Sequence, residues 1–174
     1  LLSSSRDGTL RVWDLAGKQL RTLWLPSCSM FAHSARSLVG LCGKRLLWLT
    51  SSGGVARVRA ISRPLRALCG TRSGLIGLDK KGQLWRLDPT PSRLSTPKIT
   101  AMACDTQRQR AVFARATGEI AFFPAGKKAG RIRRAPGVVR SLAVSVAGRL
   151  ASLDRTGQVV VWLADGRRSF GYRV

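Results

Sequence analysis

Short apolar runs, each ended by a cluster of polar and turn-forming residues, follow one another along the whole chain. Five of these clusters close on a glycine that is followed at once by β-forming residues. They read LLSSSRDG-TLRVWD, LWLTSSGG-VARVRA, LIGLDKKG-QLWRLD, VFARATG-EIAFFP and LASLDRTG-QVVVWL, aligned on Gly8, Gly54, Gly82, Gly118 and Gly157. A unit of this size cannot bury its apolar face alone, so recurrence after 46, 28, 36 and 39 residues predicts similar sheets packed side by side.

A third apolar run precedes each of the last four glycines: SLVGLCG, LRALCGT, ITAMACD and VRSLAVS, with Cys42, Cys69, Cys104 and Val144 in one register. Each unit therefore reads as strand A, strand B, a glycine turn, strand C and a variable strand D. The predicted units of this single domain, 1–174, are about 1–27, 28–62, 63–95, 96–134 and 135–174. The first opens on a strand B and is incomplete. In the second, only Ile61-Ser62-Arg63-Pro64 and a flanking residue or two separate strand C from the next strand A, so it is expected to be three-stranded. That leaves strand C as an open edge carrying Arg57 and Arg59. Such an edge is either blunted by its arginines or completed by a partner's strand.

The stretches 5–20 (SRDGTLRVWDLAGKQL), 141–152 (SLAVSVAGRLAS) and 155–166 (RTGQVVVWLADG) resemble the WD-repeat β-propeller family, and Ala32-His33 stands where that family has Gly-His. The resemblance implies an all-β propeller of about five blades, either a closed ring or the C-terminal part of a larger one. Arg59, Leu87 and Phe123 occupy the tryptophan position that Trp13 and Trp162 hold in the first and last units. In the family, a turn aspartate, a strand-B serine, a loop histidine and this tryptophan form a buried hydrogen-bonded set. The resemblance therefore gives Asp7, Trp13 with Ser3 or Ser5, His33 and Trp162 structural roles. It further implies a rigid, non-catalytic platform that holds protein partners in a larger assembly.

No apolar run is long enough for a transmembrane helix, and the first residues lack a signal-peptide pattern. Three of the four cysteines share one register on successive A strands, which suits small apolar residues, and no spacing matches a zinc site. The expectation is free thiols, no metal, no cofactor and an intracellular setting, with Cys28 in a connecting segment.

Charge is the departure from an ordinary repeat domain. Thirty-one Lys and Arg against eight Asp and Glu give a formal charge of +23. Self-repulsion of this size calls for a polyanion nearby, either nucleic acid or an acidic protein surface. B–C turns and D–A loops share one face of a propeller, and there they gather Arg6, Arg36, Arg63, Lys80, Lys81, Lys98, Arg115, Arg140 and Arg155. The opposite face also collects cations, with Lys44, Arg45, Arg72, Arg108, Arg110 and Arg149 in A–B loops and Lys18, Lys127, Lys128, Arg167 and Arg168 beyond strand C. No nucleic-acid recognition module is present, so contacts to RNA or DNA would be to phosphates rather than bases. Against this stand a compositional bias toward arginine and neutralisation by an acidic partner region.

Catalysis is not expected. The acids sit at strand ends and turns, where short carboxylates assist the backbone, and His33 is the only histidine. Ser51-Ser52-Gly53-Gly54 lacks the Gly-Lys-Ser/Thr and helix of a phosphate loop and reads as a hairpin turn.

Overall fold

The computed structural model describes the chain apart from residues 1, 6, 26–27, 35–36, 51, 89, 95–97, 124–129, 164–167 and 174. Among the described residues nineteen strands form five antiparallel sheets, and there is no helix. The chain divides into two units, Leu1–Pro64 and Leu65–Val174.

In the first unit, β1 (Leu2–Ser4), β2 (Thr9–Trp13) and β3 (Gln19–Trp24) make a three-stranded sheet, the incomplete one expected from the sequence. The second sheet runs β4 (Cys28–Ser34), β5 (Ser37–Cys42), β6 (Arg45–Leu49) and β7 (Val55–Ala60). It therefore has four strands, not three. The additional strand lies beside strand A, in a segment read as a connection. Its pairing with β5 sets Phe31 opposite Gly40, and the Phe31 ring fills the space a β-carbon at Gly40 would need. His33, expected in a loop, lies within β4 opposite Leu38 and is exposed. No strand pairs with the free side of β7 among the described residues.

The second unit holds three four-stranded meanders. They are β8 (Leu65–Thr71), β9 (Gly74–Asp79), β10 (Leu84–Arg86) and β11 (Ser92–Leu94); β12 (Ile99–Asp105), β13 (Arg110–Arg115), β14 (Glu119–Phe123) and β15 (Gly130–Arg134); and β16 (Val139–Val144), β17 (Leu150–Asp154), β18 (Gln158–Trp162) and β19 (Arg168–Arg173). The first strands are neighbours, with β12 against both β8 and β16. Between successive sheets the alternating apolar positions interlock. Ile76, Leu84 and Phe113 fill one core, and Val112, Ile120 and Leu150 the next, each at most 2% exposed. Burial of each such side chain contributes about 1.5–3 kcal/mol.

One hairpin turn recurs. In it the N–H of the glycine donates to the carbonyl three residues earlier, as in Gly8 to Ser5, Gly53 to Thr50, Gly82 to Asp79, Gly118 to Arg115 and Gly157 to Asp154. All five glycines have φ between 81° and 87°. This is a tight turn followed by a left-handed residue, a conformation that favours glycine strongly. The residue equivalent to the other turn glycines is thus Gly53, not Gly54. The alignment on Gly54 still put Arg59 at the tryptophan position, because β7 skips Ala56 in its pairing with β6 and Arg59 comes to face Leu46.

The cysteines are not free. Cys28 is bonded to Cys42 between β4 and β5, and Cys69 to Cys104 between β8 and β12. Cys42 ends the second strand of its sheet, whereas Cys69 and Cys104 lie on first strands.

Candidate functional site

The tryptophan positions behave as anchors. Trp162 is buried, and its indole N–H donates to the Ser152 hydroxyl at 3.2 Å. Trp13 does the same to Ser3 at 2.8 Å, in a more exposed place. Asp7 does not join that pair. Its carboxylate accepts the Thr9 amide at 2.8 Å and the Thr9 hydroxyl at 2.6 Å, closing its own turn. Hydrogen bonds from the Thr9 hydroxyl first, and then the Thr9 amide, hold the Asp7 carboxyl below its ordinary value. Asp154 uses the same chemistry from a buried position, accepting from the amides of Thr156 and Gln158 and the Thr156 hydroxyl at 2.7–2.9 Å. Asp79 accepts the Gln83 amide at 2.8 Å and the Trp85 indole N–H at 3.0 Å. This last pair was not expected, since Trp85 lies two residues before the family's tryptophan position.

The turns after β9, β13 and β17 carry the candidate interface. Backbone bonds tie them to the segments that open β12 and β16: Ile99 N–H to Gly82 carbonyl, Ala116 to Lys98, Ala135 to Gly118 and Arg155 to Val138, at 2.8–3.2 Å. Turns and strand starts therefore share one face of the second unit. Lys80, Lys81, Lys98, Arg140 and Arg155 are exposed there, and none has an ion pair among the described residues. The buried carboxylates of Asp79 and Asp154 lie beneath them and offset part of that charge.

The other expected cations fall elsewhere. Arg115 is partly buried and held by Glu119 at 2.7 Å, so its charge is neutralised. Arg63 is partly buried and engaged in interactions of its own. Arg6 and Arg36 lie outside the described residues. At the opposite end of the second unit, Asp105, 2% exposed, takes Arg110 at 2.8 Å and Arg108 at 3.6 Å, leaving Arg72 and Arg149 exposed. On the edge strand β7, the Arg57 guanidinium sits 4.6 Å from the Trp48 ring centroid, and Arg59 is partly buried. A further cation, Arg66 on β8, was not expected in this group, although LRALCG and VRSLAV place it level with Arg140.

No protein-family model matches the sequence, and no curated protein matches it. Solved structures do. Hsv2 of Kluyveromyces lactis superposes with a TM-score of 0.74 at 10% identity, over 99% of this chain and 58% of that one. Hsv2 of Kluyveromyces marxianus gives 0.73 at 10%, over 99% and 57%. The β-propeller domain of Cps50 (Swd1) from Myceliophthora thermophila gives 0.68 at 15%, over 99% and 67%. At these identities the likeness establishes the fold, a β-propeller, and each sheet described above is a blade. The chain spans 58% of the length of the K. lactis protein.

Proposed function

We propose that this chain is a non-catalytic interaction platform within a multi-subunit assembly, and that its second unit presents a cationic face to an acidic partner. The observation that carries the reading is the set Lys80, Lys81, Lys98, Arg140 and Arg155 on one turn face without ion-pairing acids among the described residues. Exposed lysines and arginines on rigid hairpins steer an anionic surface by long-range attraction. The same reading assigns no cofactor, small-molecule substrate or membrane contact. No helix among the described residues is long and apolar enough to cross a membrane.

The test is titration with an acidic polypeptide such as polyglutamate over a salt series. Binding that weakens as salt rises, and weakens further in Lys80→Glu/Lys81→Glu, supports the platform. Affinity unchanged by either contradicts it. A second reading, a component of a ribonucleoprotein or other nucleic-acid assembly, draws on the arginine excess, because guanidinium groups donate to phosphate oxygens in a two-pronged geometry. A steeper salt dependence for RNA or DNA than for polyglutamate favours this second partner.

A further inference from the structure

Three strands of the second unit carry the same irregularity at the same position. In β8 the pairing with β9 passes from Leu65 to Ala67, in β12 the pairing with β13 passes from Ile99 to Ala101, and in β16 the pairing with β17 passes from Val139 to Ser141. Each strand thus opens on a buried aliphatic residue followed by one residue left out of the ladder: Arg66, Thr100 and Arg140. A bulge of this kind turns a side chain away from the sheet, and bulges concentrate beside functional sites.

All three bulged residues line one cavity of about 180 Å³ where the three first strands meet. Its walls are the apolar Met102 and Leu142, and Ser141 adds a hydroxyl at the mouth. No carboxylate lines it. One terminal nitrogen of Arg66 donates to the Ile99 carbonyl at 2.7 Å, which fixes the guanidinium and leaves its remaining N–H groups for a ligand. Thr100 gives its hydroxyl proton to the Ala114 carbonyl at 3.3 Å and so acts as a wall rather than a donor. The volume is well below that of a pocket for a drug-sized molecule, about 300 Å³ or more, and suits a single charged group.

We propose that this cavity binds one phosphate group, free or as a terminal monoester, between Arg66 and Arg140, with Ser141 as a third donor. Guanidinium forks match the geometry and charge of a phosphate dianion. The site shares Arg140 with the turn face but none of its lysines, and it does not depend on the partner proposed for that face.

The test is calorimetric titration at constant ionic strength with inorganic phosphate and with O-phosphoserine. Both are expected to bind, roughly tenfold more weakly to Arg66→Ala and to Arg140→Ala. Arg140→Lys keeps the charge and loses the fork, so it should fall between wild type and Arg140→Ala. Lys80→Ala/Lys81→Ala should bind phosphate as wild type does. Binding of phosphate but not phosphoserine supports a site for the free anion, and the converse supports one for a monoester. No binding of either, or equal weakening by the lysine and arginine variants, overturns the proposal. Loss of polyglutamate and oligonucleotide binding in the lysine variant alone bears on the turn face and leaves the cavity assignment standing. Should Arg66→Ala fail to melt cooperatively, the two Arg140 variants decide.

Discussion

Aspartates at the turns show how one side chain serves two burdens depending on burial. Asp154, a residue 6% exposed, takes two amides and a hydroxyl, so its removal leaves partly buried donors without their acceptor. Asp154→Ala is expected to cost about 1–3 kcal/mol in denaturant unfolding, and Asp7→Ala, at an exposed turn of the same form, distinctly less. The sign of the pH dependence at Asp7 follows from its lowered pKa. A carboxyl more acidic when folded stabilises the fold above the ordinary value of 3.8 and loses that contribution as pH falls through the folded value. Proton titration of the Asp7 carboxyl by NMR should place its midpoint below that of an unfolded Asp, and a midpoint at or above it contradicts the turn hydrogen bonds. Trp162→Phe keeps one aromatic ring but loses the indole bond to Ser152 and the volume of the fused pyrrole. The expected cost is more than about 1 kcal/mol, read by the same unfolding measurement.

Turns and bulges, rather than the strands themselves, give this fold its definition at the next scale. At Gly82, with φ +81°, a β-carbon would stand 2.6 Å from the Ile99 carbonyl oxygen, whereas at Gly17, with φ +83°, nothing lies within 4 Å. Gly82→Ala should therefore destabilise by more than about 2 kcal/mol, and Gly17→Ala by about 1 kcal/mol from backbone strain alone. Similar losses at both positions would contradict the packing of the β9–β10 turn against β12. These hairpins were legible because polar residues and a glycine at fixed spacing leave a local signature. Strand β4 was not, since it forms by pairing with β5 and depends on the fit of Phe31 over Gly40, which no local pattern announces. The one-residue displacement from Gly54 to Gly53 was hidden by the skipped Ala56, which restores the register further along β7. Cysteine pairing escaped for a related reason. Equal positions on neighbouring first strands suggested a shared packing role, and the same equality brings Cys69 and Cys104 into bonding contact. Among the site residues, Lys80, Lys81 and Arg155 were readable from turn position, while Arg66 required knowing that its strand is bulged.

For the molecule as a whole, the question is what a formal charge of +23 is for. Within the second unit Asp105 is shared by Arg108 and Arg110, and Glu119 pairs with Arg115, whereas the turn face keeps three lysines and two arginines without an ion pair among the described residues, above the buried Asp79 and Asp154 of the same turns. An excess gathered on rigid hairpins acts on a partner before contact, whereas a uniform bias in composition would spread over every surface. The most direct measurement is the salt dependence of binding to a single-stranded oligonucleotide, used as a generic polyanion, for the wild type and for Lys80→Ala/Lys81→Ala/Lys98→Ala. If the turn face makes the contacts, the slope of log affinity against log salt becomes shallower by about 0.7 for each lysine removed, roughly 2 in all. A slope that stays at the wild-type value contradicts the account, because the charge would then be acting from elsewhere on the chain.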